Sequence, residues 1–531
     1  MGMYVNPGSM AFEMAKKSEI YVDKTGLIGE LNKAVNTEQR FLCISRPRRF
    51  GKTMGMNMLS AYYDCTVDGA GVFAGLKVAV NQAGFAEYAN KFNVIRVNML
   101  QFFGAEIDSV AEAVRSFKEE IIEDIIEEYP DFKYRNRQDL TRVMWDAFRY
   151  GKKQFVILLD EWDCLFRERQ SDTEGQKLYL DFLRGWLKNQ DYVALAYMTG
   201  ILPVKKYGKH SALNMFREFS MEDPWKLAKY VGFTADEVQA LCDRYHLDYQ
   251  SCKAWYDGYS FPYAVEIYSP WSVVEACKRG RVENYWNKTE SYEALKVYIS
   301  MNFEGLREII LRLMAGERQK ISTGSFVNDM TTFACADDVL TLLLHLGYLG
   351  YDIDNKEVFI PNNEIRSEFA NSVQTMDDMS VVAKAIKASD DLLSATLQAD
   401  AEAVAAGIEK AHLETSHLQY NDENALSYTV GLAYYTAKSK YNIIREMPSG
   451  KGFADLVFIP RPNHAELPAM VVELKKNKSA EAAIDQIKKG EYVKSLEGYT
   501  GTVLLVGISY NPDSATEGYK EHHCVIEQLE L

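Results

Sequence analysis

Residues 453–478 read FADLVFIPRPNHAELPAMVVELKKNK, two strand-like stretches that carry an aspartate, a glutamate and a lysine. Side chains alternate across a strand, so Glu473 and Lys475 share one face while Val472 and Leu474 turn to an apolar interior. Pairing of the Asp455 strand (454–459) with 470–474 brings two carboxylates and an ammonium to one place. Carboxylates that close repel each other unless a divalent cation lies between them, and Mg²⁺ suits carboxylate oxygen plus water, with Mn²⁺ able to substitute. Asp455 and Glu473 are thus expected as metal ligands and Lys475 as the group that orients or deprotonates water, the minimum equipment for cleaving a phosphodiester.

A bare Glu-x-Lys also occurs on many solvated strands. Here the pair ends an apolar run, follows an aspartate flanked by Phe453 and Leu456, and precedes a helical segment, 479–496. The pattern, with 17 residues between Asp455 and Glu473, resembles the PD-(D/E)XK, or restriction-endonuclease-like, nuclease superfamily. Gln486 and Tyr492 match the helix that follows the Glu-x-Lys strand in that superfamily. Glu423, in NDENALSY, matches the acidic position of its first helix, and Ala454 replaces a proline that often precedes the aspartate. The resemblance implies that Gln486 and Glu423 support the site.

Far upstream, residues 41–53 read FLCISRPRRFGKT, a buried strand, a loop ending Gly51-Lys52-Thr53 and a helix from Met54 to Tyr63. A phosphate-binding loop needs inward N–H groups, a lysine for the β and γ phosphates and a hydroxyl for Mg²⁺. Arg46 stands where the first glycine of that motif belongs. Two further strands follow: FVILLDEWD (155–163) ends in Asp160 and Glu161, and 192–198 ends at Thr199. Asp160 can hold the Mg²⁺ shell, Glu161 can polarise an attacking water, and Thr199 can sense the γ-phosphate. Arg46, Arg48 and Arg49 surround the loop and are expected at phosphates or as trans-acting arginines in a homo-oligomer.

RPRRFGKT, with YVDKT (21–25), LLDEWD, TGILPVKK (199–206), WYDGYSF (255–261) and IYSPWSV (267–273), resembles a prokaryotic family of AAA-ATPase-like proteins whose members commonly end in a PD-(D/E)XK domain. LGYLGYD (346–352) and FIPNNEIRSEF (359–369) extend that resemblance along the chain. It implies an ATP-binding module fused to a nuclease-like module. Along the chain, strands near 41, 93–99, 155 and 192 alternate with helical segments, giving an α/β P-loop NTPase (AAA-like) sheet domain at 1–220. A helical and winged-helix-like region follows at 221–376, mainly helical to about 300 and mixed helix and strand at 321–369; then come an alanine-rich helical connector at 377–413 and a restriction-endonuclease-like α/β domain at 414–531. Asp23 and Lys24 have no evident task in the sequence, and Trp255, Tyr256 and Tyr259 read as core aromatics more simply than as base-stacking ones.

At 531 residues, 47% hydrophobic and 25% charged, the chain reads as several globular units. No apolar run approaches the roughly 20 residues that span a bilayer. The N-terminus lacks an apolar signal region, and eight scattered cysteines form neither a zinc nor a disulfide pattern, so a cytoplasmic setting is expected. The net charge of −15 opposes easy nucleic-acid binding, but Lys475, Lys476, Lys478, Lys488, Lys489 and Lys494 gather near the Glu-x-Lys pair. The expectation is therefore an ATP-binding or hydrolysing module coupled to a Mg²⁺-dependent nuclease acting on nucleic acid, with DNA the expected partner. Two alternatives stand beside it: a nucleotide-dependent switch whose nuclease-like domain binds without cleaving, and an interaction protein with decayed sites.

Overall fold

In a computed structural model of the chain, the structure describes residues 2–80, 85–104, 107–204, 213–261, 265–286, 292–301, 303, 305–314, 316–374, 380–414, 430–431, 433–449, 452–461, 464–496, 499, 501–511 and 521–530. They divide into two compact units, one of Met1–Ser291, Tyr298–Arg307 and Arg318–Ser367, the other of Tyr292–Val297, Glu308–Glu317 and Glu368–Leu531.

The first unit is built on strands β1 (Phe41–Ser45), β2 (Asn93–Asn98), β3 (Phe155–Asp160), β4 (Val193–Gly200) and β5 (Arg217–Phe219), all parallel, in the order β2-β3-β4-β1-β5. Strands β1, β3 and β4 are buried along their whole length, as their unbroken apolar runs require when both faces are covered. The loops that leave β1, β3 and β4 emerge together at the carboxyl edge, where open α/β sheets bind ligands.

KEEIIEDIIEEY (118–129), whose spacing puts Ile121, Ile122, Ile125, Ile126 and Tyr129 on one helical face, forms the end of the helix Val110–Glu128 and its C-cap Tyr129; Ile121, Ile122 and Ile125 are buried, and Ile126 and Tyr129 half-buried. The helix Ala235–Tyr245 starts at Thr234 with a capping box closed by Glu237. Residues 221–300, expected to be mainly helical, also hold a three-stranded sheet, β6-β8-β7, made of β6 (Phe233–Thr234), β7 (Tyr259–Phe261) and β8 (Val265–Tyr268). Strands of two to four residues are too short to show a period. The winged-helix-like stretch contains the helix Ala336–Leu346 and strands β9 (Gln319–Lys320), β10 (Gly350–Asp352) and β11 (Glu357–Phe359), ordered β10-β11-β9.

The second unit is a five-stranded sheet in chain order: β12 (Tyr441–Ser449), β13 (Gly452–Pro460), β14 (Ala469–Lys476), β15 (Thr502–Asn511) and β16 (Glu521–Glu530). Only β14 and β15 are parallel, joined by a crossover through the helix Ala480–Lys489, as a parallel pair demands. Val471 packs with Ile484 and Ile487 of that helix. On the other face Met470, Val472 and Leu474 join Leu392, Leu393, Val404 and Ile408. These four belong to the helices Ser380–Leu397 and Ala401–Glu414. Of the stretch 377–413, expected to be a helical connector, the described residues are mainly helical and their Leu392, Leu393, Val404 and Ile408 share one core with the sheet, on the face that the crossover helix leaves open. The helix expected over 479–496 ends at Lys489 and resumes as a 3₁₀ turn, Tyr492–Ser495.

Candidate active sites

The helix Lys52–Tyr63 follows β1 through Gly51, its N-cap, at φ 90°. A Cβ built on Gly51 would meet nothing within 4 Å, so the mouth of the loop is open beside the unpaired amides of a helix start, the setting that binds anions. Lys52 is buried, and its Nζ donates to the carbonyls of Arg46 and Pro47, each at 2.9 Å. Thr53 Oγ1 donates to Asp160 Oδ2 at 2.6 Å and Thr199 Oγ1 donates to Asp160 Oδ1 at 2.5 Å. One carboxylate thus joins the loop, β3 and β4. Burial lowers the Lys52 ammonium, with Glu161 the strongest opposing charge. Glu161, beside Asp160 at φ 53°, has its carboxyl raised by burial, and Lys52 and then Arg167 oppose the shift.

The arginines divide. Arg46 is fully buried and its Nη1 donates to the carbonyls of Ser45 at 2.7 Å and of Phe219 and Ser220 at 3.0 Å. It ties the start of the loop to the end of β5 through Nη1, and its guanidinium is buried at the end of β1. Arg48 and Arg49 are exposed.

In the second unit the β13–β14 ladder stops at Leu456 and Val472. One residue further on, Asp455 Oδ2 accepts the Leu474 N–H at 2.7 Å, so a carboxylate replaces a carbonyl at the point where the ladder ends. Glu473 Oε1 accepts from Lys475 Nζ at 2.9 Å and Gln486 Nε2 at 2.5 Å. Gln486 Nε2 also donates to the Tyr492 hydroxyl at 3.1 Å. Glu473 and Lys475 are 2% and 7% exposed, which rules out a solvated strand face. Glu473 Oε2 is buried without a hydrogen-bond partner among the described residues. Burial first, then the Asp455 charge, pushes the Glu473 carboxyl up to about 7 against the pull of Lys475. Two carboxylates that repel, one with an orphaned buried oxygen, fit a divalent cation. Glu423 lies outside the described residues, and among those residues no group of three or more His, Cys, Asp or Glu side chains could hold a metal ion.

Residues 8–208 match the family described as "Predicted AAA-ATPase", and residues 423–519 match the PD-(D/E)XK nuclease superfamily. The chain joins an AAA-ATPase-like domain to a PD-(D/E)XK superfamily domain. No curated protein matches it. Two solved structures are similar, both from Aeropyrum pernix: the ORC1 protein in complex with DNA and the ORC2 protein (ADPNP–ADP complexes). ORC1 has 12% identity, with 72% of this chain and 99% of that chain covered, at a TM-score of 0.26. ORC2 has 11% identity, 68% and 98% coverage and a TM-score of 0.23. At those scores neither likeness carries an argument.

In the AAA-ATPase-like domain, sequence reading passed over Asp163 and Arg167. Arg167 pairs with Glu161, and its Nε lies 3.4 Å from Asp163. Asp163 Oδ2 accepts the N–H groups of Ile201 and Leu202 at 2.9 and 2.8 Å, tying the turn after Thr199 to the turn after β3. The four-residue step from Asp163 to Arg167 in DCLFR was the available signal. Asp163 is fully buried, so Asp163→Ala leaves the Ile201 and Leu202 amides without their acceptor and Arg167 with Glu161 as its remaining carboxylate. It is expected to lower unfolding stability by about 3 kcal/mol, measured as a shift in the urea midpoint.

The YVDKT motif is structural. Asp23 Oδ1 accepts from the Thr25 amide at 2.8 Å and Oδ2 from the Lys77 amide at 2.7 Å, while Lys24 Nζ donates to Glu237 Oε2 at 2.5 Å and to the Lys229 carbonyl at 2.8 Å. Tyr256 and Tyr259 are buried, as expected of core aromatics. In the nuclease-superfamily domain the lysine cluster is partly neutralised, since Lys488 pairs with Glu527 at 2.5 Å and Lys489 with Asp485 at 3.3 Å. Among the described residues no helix is long and apolar enough to cross a membrane.

Proposed function

We propose that the protein binds ATP in its AAA-ATPase-like domain and cleaves nucleic acid, DNA in the first instance, in its PD-(D/E)XK domain. The reading rests above all on the cluster in which buried Glu473 and Lys475 meet half-buried Asp455 and Gln486, with Glu473 Oε2 left without a partner among the described residues. Asp455 and Glu473 would hold a divalent cation, with Glu423 as a further support. When bound, that cation supplies Lewis acidity to the phosphate and lowers the pKa of a coordinated water. Lys475 lies beside the Glu473 oxygen, where it can orient the water and move its proton, and Gln486 donates to that same oxygen and fixes the carboxylate. Lys52 and the loop amides would receive the ATP phosphates. Thr53 and Asp160 would hold Mg²⁺, Glu161 would polarise water, and Thr199 would read the γ-phosphate. Arg48 and Arg49, exposed beside the loop, remain candidates for phosphates or for a neighbouring copy.

The test is cleavage of labelled single- and double-stranded DNA and RNA under Mg²⁺ and Mn²⁺ titration, with and without ATP. Absence of metal-dependent cleavage of every substrate would sink the nuclease reading. Because a carboxylate must lose its proton to ligate, activity at limiting metal is expected to rise with pH through about 7, where Glu473 titrates. Excess metal should move that limb to lower pH; a limb that ignores metal concentration would contradict Glu473 as a ligand. One observation favours a second reading, a nucleotide-dependent switch. Arg167 occupies the Glu161 carboxylate, so this conformation suits binding without turnover.

A further inference from the structure

Four of the five residues in Arg46-Pro47-Arg48-Arg49-Phe50 are held from outside the loop, by segments that the sites above do not use. Arg46 is bound to the Phe219 and Ser220 carbonyls and sits 5.6 Å from the Phe261 ring. The Arg49 guanidinium lies 4.1 Å from the centre of the Trp271 ring. Phe50 meets Tyr259 edge-on, with centroids 5.5 Å apart at 80°. Pro47 packs on Gly347, where an added Cβ would come within 2.6 Å of Pro47 Cγ and φ is 88°, so only glycine fits. The Tyr259 hydroxyl donates to the Gly347 carbonyl at 2.6 Å, which links two of these partners. Tyr259 and Phe261 belong to WYDGYSF, Trp271 to IYSPWSV and Gly347 to LGYLGYD. From inside the loop, Lys52 Nζ rests on the carbonyls of Arg46 and Pro47. Outer clasp and inner lysine therefore act on the same backbone.

A phosphate loop gains affinity by presenting its amides already arranged, so that binding need not order them. This loop has Arg46 where a glycine is usual, and its arrangement comes from the residues that grip it. We propose that Trp271 and Tyr259 are positioning residues of the nucleotide site, setting through Arg49 and Phe50 the loop geometry in which Lys52 and the amides receive phosphates. The proposal rests on the reading of that loop as an ATP site. By linkage, nucleotide binding would in turn stabilise the clasped arrangement.

The test is equilibrium binding of a fluorescent N-methylanthraniloyl ATP with Mg²⁺ to the full-length chain, reading dissociation constant and stoichiometry separately. Trp271→Ala is expected to raise the dissociation constant about three- to fivefold, the scale of a cation–π contact made by an exposed arginine, at unchanged stoichiometry. Trp271→Phe should return it to within about twofold of wild type, because a ring face remains for Arg49. Tyr259→Phe removes only the hydroxyl and should weaken binding by about threefold or more, the scale of one hydrogen bond. A purely structural role would instead lower stoichiometry at an unchanged dissociation constant, and that result overturns the proposal. So does wild-type affinity in both Trp271→Ala and Tyr259→Phe while Lys52→Ala fails to bind. If Trp271→Ala does not fold, Tyr259→Phe and Trp271→Phe decide alone. Wild-type binding by Lys52→Ala would be the distinct failure of the ATP-site reading itself, and the proposal would fall with it.

Discussion

Lys475→Ala and Asp455→Asn are each expected to reduce metal-dependent cleavage by about 10²- to 10⁴-fold, the first by loss of a proton-transfer group and the second by loss of a metal ligand, without unfolding the chain. The two changes act on Glu473 in opposite directions. Lys475→Ala removes the ammonium 2.9 Å from Glu473 Oε1, so the carboxyl, already at about 7, rises further and holds its proton at neutral pH. Asp455→Asn retains an oxygen for the Leu474 amide and removes the charge that repels Glu473. The sign for stability follows. A carboxyl raised from 4.5 to about 7 in the folded state favours folding below pH 4.5, and that advantage is lost as pH rises through 7. At pH 8 the buried charge costs on the order of 3 kcal/mol, of which the Asp455 repulsion is the second cause after burial. Asp455→Asn should therefore melt at or above the wild-type temperature at pH 8 while inactive. Cleavage that survives both substitutions, or a clear drop in the melting temperature of Asp455→Asn, would count against this account.

Lys52→Ala is expected to weaken ATP binding by at least about 100-fold, because a buried ammonium that meets phosphate contributes several kcal/mol. Glu161→Gln should bind ATP with wild-type affinity and turn it over at least about 100-fold more slowly. Calorimetric titration and phosphate release separate the two. Equal turnover in Glu161→Gln and wild type would remove Glu161 from the reaction and leave its bond to Arg167 as its only task.

Much of both sites was legible in the chain. The two-residue step from Glu473 to Lys475 assigns both to one face whatever the sheet around them, and Gly51-Lys52-Thr53 followed by two strands ending in Asp160 and Thr199 marks the edge where all three loops meet. The burial of Arg46 was not legible, because a loop position does not reveal which way its side chain turns. Inward rotation gives it three carbonyls between residues 45 and 220, and the gain from those bonds decides its direction. Asp163 and Arg167 were overlooked for a similar reason. A strand that ends Asp-Glu-Trp-Asp offers two aspartates, and only the amides of Ile201 and Leu202 show which one is structural. The helices between 377 and 413 looked like a connector because their alanine-rich stripe becomes a core face only when a sheet is placed against it.

Residue order alone determined the strand faces, the Gly51-Lys52-Thr53 turn into a helix and the pairing of carboxylate with lysine, since each depends on neighbours within a few positions. Only the tertiary structure decided that Glu473 is desolvated beside Asp455, that Glu161 is held by Arg167, and that the loop before Lys52 packs against Trp271, Tyr259 and Gly347. Burial and hydrogen-bond partners depend on which distant segments share a surface, and sequence spacing carries no record of that.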